Sequence, residues 1–285
     1  MSAQPLAIVR TLSALRARVA AWRAAGERVA LIPTMGALHA GHLSLVALGR
    51  ERADRTVASI FVNPTQFAPH EDFDAYPREE AQDAERLAEA GCDLLFAPSV
   101  EAMYAPGFST TITVAGVSAP LDGLARPHHF AGVATVVAKL LIQAGPDVAV
   151  FGQKDYQQLQ VIRRLVADLD LPVEIVGGPT VRAEDGLALS SRNAYLTPAE
   201  RAVAGQLNLI LKAAIERLRA GQPVAAVEAE GLRALAAAGF DPVDYLEVRD
   251  PNDLSRLGPG PLSVPGRILV AAKIGRTRLI DNMAV

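Results

Sequence analysis

Short apolar runs alternate along the chain with amphipathic stretches, the pattern of a parallel sheet whose strands are covered by helices on both faces. Val29-Ala-Leu-Ile32, Thr56-Val-Ala-Ser-Ile-Phe-Val62, Asp93-Leu-Leu-Phe96, Val148-Ala-Val-Phe151 and Val173-Glu-Ile-Val176 read as strands. Ser109-Thr-Thr-Ile-Thr-Val114 alternates like another, and Thr180-Val-Arg182 reads as the last of this set. Residues 6 to 25 read as a helix, with Leu12, Leu15, Val19 and Trp22 on one stripe. Further helices are expected from Leu43 to about Arg50, from Glu79 to Ala90, from Arg126-Pro-His-His-Phe130 through Leu141, and from Gln157 to Asp168.

The pattern then changes. Thr197-Pro-Ala-Glu200 is a capping box with proline at the first helical position, a strong helix start. That helix runs to about Ala220, and a second from about Val224 to Ala238. Asp244–Val248, Arg267–Lys273 and Arg278–Ile280 follow as strands, with a Gly258-Pro-Gly-Pro261 loop between the first two. The fold class expected is α/β: a Rossmann-like parallel sheet over residues 1–182, then a smaller C-terminal α+β domain, 183–285, acting as a lid.

Composition narrows the setting. The 285 residues are enough for a substantial core. Half are hydrophobic, yet no run of 18 apolar residues suggests a membrane span. Arg10, Arg16 and Arg18 interrupt the apolar residues where a signal peptide would need a compact core, so a cytoplasmic enzyme is expected. A single cysteine, Cys92, excludes an internal disulfide and a cysteine-cluster zinc site. Twenty-eight basic against 31 acidic residues give a net charge of -3, which argues against nucleic acid as a partner but not against a local anion pocket. No GxxxxGKS/T, HExxH, CxxC or GxSxG motif occurs, so P-loop, zincin and serine-hydrolase chemistry have no support.

The chemistry gathers at strand ends. In Leu31-Ile-Pro-Thr-Met-Gly-Ala-Leu-His-Ala-Gly-His42, Gly36 and Gly41 permit a tight turn and close approach of a ligand. His39 and His42 lie three apart at a helix start, where unpaired N–H groups and the helix dipole favour a phosphate. The second strand runs into Asn63-Pro-Thr-Gln-Phe67, where amides could serve a turn or a ligand. The fourth delivers Gly152-Gln-Lys-Asp-Tyr-Gln-Gln158. There Lys154 suits a phosphate, Asp155 suits a helix cap or ribose hydroxyls, and Gln158 shares a face with Asp155. Leu187-Ala-Leu-Ser-Ser-Arg-Asn193 reads as a loop rich in donors for a polyphosphate, or as a solvated turn. Glu71, Asp72 and Asp74 suit the acidic approach to a helix better than a metal site, His128 and His129 read as residues at a helix start, and His70 has no assignment.

His39-Ala-Gly-His42 resembles the HxGH signature of the nucleotidyltransferase and class I aminoacyl-tRNA synthetase-like superfamily. The longer Pro33-Thr-Met-Gly-Ala-Leu-His-Ala-Gly-His42, together with FVNPTQF, EDFDxYPR, FGxKDxQQ and the SSRN loop, resembles the pantothenate synthetase family in particular. The resemblance is close over residues 29 to 196 and extends to the C-terminal part in layout. Leu189 stands where the family's KMSKS-type loop usually carries Met, a swap that keeps size and apolarity. It implies an ATP-dependent condensation of (R)-pantoate with β-alanine through a pantoyl adenylate, releasing pyrophosphate and AMP. It further implies that His39, His42, Lys154 and Arg192 serve catalysis. Met35, Gly36, Gly41, Gly152, Asp155, Val181, Leu189, Ser190 and Ser191 would join them in holding ATP, and Asn63, Gln66 and Gln158 would hold pantoate or β-alanine. Magnesium is expected with ATP, its protein ligands unknown and Asp83 only a guess; a homodimer is implied as well. A cytidylyltransferase, which would keep the nucleotide on its product, and a non-catalytic nucleotide-binding or tRNA-binding relative are the other readings.

Overall fold

The computed structural model describes residues 6–68, 71 and 73–285; His70 and Asp72 lie outside the described residues. Six parallel strands form the main sheet, β1 (Ala7–Val9), β2 (Val29–Thr34), β3 (Arg55–Ile60), β4 (Leu94–Phe96), β5 (Val148–Gly152) and β6 (Glu174–Gly178), in the order β1-β4-β3-β2-β5-β6. Helices α1 (Leu12–Ala24), α2 (Ala40–Arg50), α3 (Glu80–Glu89), α4 (Val100–Met103), α5 (Asp122–Ala125), α6 (His129–Ala144) and α7 (Tyr156–Asp168) make the connections. Strand alternation sorts the core into two layers. Val29 and Leu31 of β2 meet Leu15 and Val19 of α1 and Val133, Val136 and Leu140 of α6. Ala30 and Ile32 face the other way, onto Leu45 and Val46 of α2 and Leu87 of α3.

The chain leaves β2 for β3 and β4 on one side, then crosses through α6 to β5 on the other. Strand order therefore reverses between β2 and β5. A crevice opens at such a switch point beyond the C-terminal ends of the strands.

After β6 the chain builds α8 (Pro198–Ala204), α9 (Gln206–Arg219), α10 (Val224–Ala237) and an antiparallel sheet of β7 (Val243–Arg249), β8 (Arg267–Ile274) and β9 (Thr277–Ala284). One face of that sheet, with Val248, Ile268, Val270 and Ala272, packs on Leu207, Leu211 and Leu235 of α9 and α10. The other face turns toward the first layer, where Leu269 packs with Phe130, Tyr156 and Leu165.

Several expectations are corrected. Residues 7–9 are an edge strand rather than helix, and Thr11 caps α1 by accepting from the Ala14 amide. Ser109–Val114 joins no ladder among the described residues; its Ile112 amide is satisfied by the Thr135 hydroxyl instead. Thr180–Arg182 is no strand either, because Arg182 makes only an isolated bridge to Ala188 across a short turn. The helix expected from residue 197 to 220 is two, meeting at Gly205 against the Asp185 side chain. The last strand is longer than the apolar run that announced it, since Asp281 and Asn282 are buried by polar partners rather than exposed. Cys92 is buried, its thiol directed at the Thr56 and Leu94 carbonyls and its pKa pushed up by burial. No helix among the described residues is long and apolar enough to cross a membrane.

Leu31 is fully buried at the centre of the main sheet. We expect Leu31→Ala to lower unfolding free energy by about 2–5 kcal/mol in urea titrations, the usual range for a large-to-small core change. A change within experimental error would contradict the packing described.

Candidate active site

The turn after β2 is held open by one carboxylate. Gly36 (φ 86°) and Ala37 (φ 50°) both adopt left-handed backbone, a conformation that costs free energy at the alanine. Asp83, at 1% exposure on α3, accepts from the Ala37 and Leu38 amides at 2.8 Å each. A side chain at Gly36 would meet Asp83 Oδ2 at 3.1 Å, so the glycine is what lets the carboxylate approach. Arg86, one turn on, donates to the Leu38 carbonyl. Asp83 thus has both carboxylate oxygens engaged by backbone amides.

The turn delivers His39 as the N-cap of α2. His39 Nδ1 accepts from the Gly41 amide at 3.1 Å, and His42 Nδ1 accepts from the His39 amide at 3.3 Å. Their rings lie 4.1 Å apart. Because Nδ1 is an acceptor in both, the neutral rings carry their proton on Nε2, which leaves two N–H donors for a ligand. Capping and ligand binding are compatible here. Burial, then the charge of Lys154, lowers His39 to about 4. Burial, then His39 and Lys154, lowers His42 to about 3.

A cavity of about 570 Å³ lies at the switch point between the main sheet and the β7–β9 sheet. Met35, Gln66, Lys154, Asp155, Gln158, Ser190 and Arg192, all singled out from sequence, border it. Gly36, His39, Gly41, His42, Asn63, Gly152, Val181, Leu189 and Ser191 are not among its bordering residues, but His39 and His42 lie near enough to Lys154 of the cleft to feel its charge. Leu189 sits over the start of α2, 3.9 Å from where a Gly41 side chain would begin. Its amide donates to the Val181 carbonyl, which fixes the loop. Ser191 Oγ lies 3.0 Å from the Tyr76 hydroxyl, and the Arg192 guanidinium stands 6.0 Å from the Tyr76 ring.

Asn63 reaches the cleft through Gln66. It is 1% exposed, its Oδ1 accepts from Thr65 and from the Tyr104 hydroxyl at 2.8 Å, and its Nδ2 donates to Gly132 O and to Gln66 Oε1. Its amide is used up within the protein, so it positions Gln66. Gln66 Nε2 in turn approaches the Met35 sulfur at 3.1 Å.

Sequence reasoning missed a second wall. Arg126 forks onto Glu71 at 2.6 and 2.7 Å, and His129 Nδ1 lies 3.0 Å from the Gln66 carbonyl. Burial, then Arg126, lowers His129 to about 4. From the C-terminal sheet, Arg278 binds Asp122 at 2.6 Å and Asp244 at 2.7 Å, while Tyr245 donates to Asp122. Asn282 donates to the Gln153 and Lys154 carbonyls at 3.0 and 2.8 Å, so β9 holds the turn that carries Lys154. Only the Arg-Pro-His-His cluster gave a hint of this wall. The C-terminal contributors are single residues scattered along strands and carry no motif. No group of three His, Cys, Asp or Glu side chains suited to a metal occurs among the described residues.

The three depressed histidines have a pH consequence. Each stays neutral in the folded protein while the unfolded chain takes up a proton near 6.5, so stability falls as pH drops from 6.5 toward 4. Each histidine removes up to about 1.4 kcal/mol per pH unit in that window. Urea titrations between pH 7 and 5 should show the decline, and His129→Asn should make it shallower. Stability that rises on acidification would contradict the burial described.

Comparison with known proteins agrees with this layout. The family model for pantoate–β-alanine ligase matches residues 7–284. The pantothenate synthetase of Caulobacter vibrioides is 65% identical over 279 residues, covering 98% of each chain, and that of Paramagnetospirillum magneticum is 60% identical, covering 98% and 97%. The crystal structure of pantoate–β-alanine ligase (pantothenate synthetase) from Thermus thermophilus superposes with a TM-score of 0.92 at 48% identity, over 98% of this chain and 99% of that one. A Francisella tularensis pantoate–β-alanine ligase, solved in complex with β,γ-ATP and β-alanine, superposes with a TM-score of 0.82 at 33% identity, over 98% and 97%. A matched family model spanning nearly every residue, and full-length relatives at this identity, place the chain in the pantoate–β-alanine ligase family.

Proposed function

We propose that this protein joins pantoate to β-alanine at the expense of ATP, through a pantoyl adenylate. The observation that carries the reading is the convergence of Lys154, Ser190, Arg192, Gln66 and Gln158 on one cleft at the switch point of the sheet. In the first step a pantoate carboxylate oxygen attacks the α-phosphorus of ATP, and the bond to the β-phosphate oxygen breaks to release pyrophosphate. In the second, the neutral amine of β-alanine attacks the acyl carbon, AMP leaves with the electron pair of the acyl–oxygen bond, and the amine proton is lost.

Such in-line attack needs positioning and charge stabilisation more than a covalent nucleophile. Two histidine Nε2–H donors at the start of α2 suit the α-phosphate. Their low pKa values mean they act there as neutral donors until bound phosphate raises them. Lys154, Ser190, Ser191 and Arg192 suit the phosphates, with the backbone around Met35, Gly36, Gly41, Gly152, Val181 and Leu189 shaping the nucleotide's seat and Asp155 the ribose. Gln66 and Gln158, as uncharged amides, suit the hydroxyl and carboxylate of pantoate. Asn63 belongs to the positioning of Gln66.

Magnesium would enter this reading with ATP as its counter-ion and would offset the charge of the phosphates. The reading takes residues 1–182 as the ATP- and pantoate-binding unit, 183–285 as the lid that shields the mixed anhydride from water, and the working form as a cytoplasmic homodimer.

Exchange of labelled pyrophosphate into ATP tests it, because the first step has all its parts before any amine arrives. Exchange should depend on pantoate and magnesium and not on β-alanine, and full turnover should release AMP, which a cytidylyltransferase would not. His42→Ala and Lys154→Ala should each lower exchange by at least about a hundredfold with the fold intact by circular dichroism. Net synthesis with neither exchange nor a rapid-quench adenylate would rule out the two-step route, and near-normal exchange in both variants would remove the phosphate site from this turn.

A further inference from the structure

The β8–β9 register fixes which side chains look into the cleft. Lys273 pairs with Arg278 and Leu269 with Asn282, so Arg267, Leu269, Ala271 and Lys273 share a face with Arg278, Ile280 and Asn282. The polar groups on that face are spent on the opposite layer, with one exception. Arg267 stacks 3.7 Å from the Tyr156 ring and donates to Asn282 Oδ1. Asn282 holds the Gln153 and Lys154 carbonyls, and Arg278 holds Asp122 and Asp244. Lys273 also borders the cleft and is half-buried. Its ammonium has no hydrogen-bond or ion-pair partner among the described residues.

That placement is unfavourable for the protein alone. A half-buried cation without an anion costs free energy, and Lys273 stands directly opposite another cation, Arg278. The nearby carboxylates Asp122 and Asp244 are already bound by Arg278, and Asp122 also accepts from Tyr245. The position becomes favourable when an anion enters the cleft. Arg276, at the hairpin turn, is exposed and lies beside Glu200, so it does not share this property. Lys273 lies four positions along β8 from Leu269, whose partner Asn282 anchors the Lys154 turn. That is about 13 Å of strand, so Lys273 reaches a different part of the bound substrates from the Lys154 backbone anchor.

We propose that Lys273 is a substrate contact, its ammonium gripping an anionic oxygen from the C-terminal side of the cleft, either a phosphate of ATP or the carboxylate of β-alanine. The proposal rests on the ligase reading above. Two assays of Lys273→Ala and Lys273→Arg separate the two sources. In pyrophosphate exchange without β-alanine, a rise in the KM for ATP marks a phosphate contact. In full synthesis, a rise in the KM for β-alanine with the exchange KM unchanged marks the carboxylate. Lys273→Ala should raise one of these by roughly ten- to hundredfold, the cost of a lost hydrogen bond to a charged group, and Lys273→Arg should recover most of it.

Melting temperature separates this from a structural role: removing an unpaired cation opposite Arg278 should leave it unchanged or raise it. Lys273→Gln, closer in length, serves as the second variant if the alanine proves unstable. Normal KM values for both substrates in a folded variant would overturn the proposal, as would a fall in melting temperature without any KM change. Wild-type exchange is measured alongside, and its absence would tell against the ligase reading itself rather than against Lys273.

Discussion

Two 2.8 Å hydrogen bonds from the Ala37 and Leu38 amides to Asp83 set the shape of everything around them. Without them the left-handed Gly36-Ala37 turn would leave two backbone donors unsatisfied beside the core, at a cost of about 1–3 kcal/mol each. With them, β2 ends abruptly and α2 begins at His39 with its amides pointing over the strand end. The histidines then cap that helix through Nδ1, and their remaining N–H groups take a fixed orientation. A carboxylate on one helix thus organises the anion-binding end of another.

The sheet gives this arrangement its location. Because order reverses between β2 and β5, the turn carrying Met35 and the turn carrying Lys154 border the same crevice although 119 positions separate those two residues. Neither turn completes the site. The Ser190–Arg192 loop reaches it from beyond β6, and Asn282 on β9 fixes the backbone of Lys154. The electrostatic character of the crevice follows from pairing: Glu71, Asp122, Asp244 and Asp281 are each bound by arginine, which removes most of the negative charge an anionic substrate would meet.

Much of this was legible in the sequence where local pattern and tertiary packing agree. Buried strands such as Val29–Ile32 and Val148–Phe151 are apolar on both faces because both faces are covered, and glycine followed by polar residues marked their ends. The failures have a common origin. Ala7–Val9 sits in an apolar stretch continuous with α1, and nothing local reveals that β4 waits to pair with it. Ser109–Val114 has the alternation of a strand but finds no neighbour among the described residues. Asp281 and Asn282, just past the apolar run expected as the last strand, are buried because Arg182 and the 153–154 carbonyls meet them from distant parts of the chain. The partners that bury Asn63, among them Gly132 and Tyr104, could likewise be known only from the fold.

The contacts of the β8–β9 face also determine how the two layers can part. Arg267 on Tyr156, Asn282 on the 153–154 carbonyls and Arg278 on Asp122 are carried by one backbone-paired hairpin, with the Tyr156 hydroxyl bound to Pro251 beside it. A paired hairpin does not bend at one rung without straining the next. These contacts therefore stand or fall nearly together, so parting the two layers would take one concerted step rather than peeling residue by residue. A concerted step of that size would fall in the microsecond-to-millisecond range of collective movements, slower than loop flutter. Were reactants to enter by that step, its rate would set a ceiling on how often they can be exchanged for products.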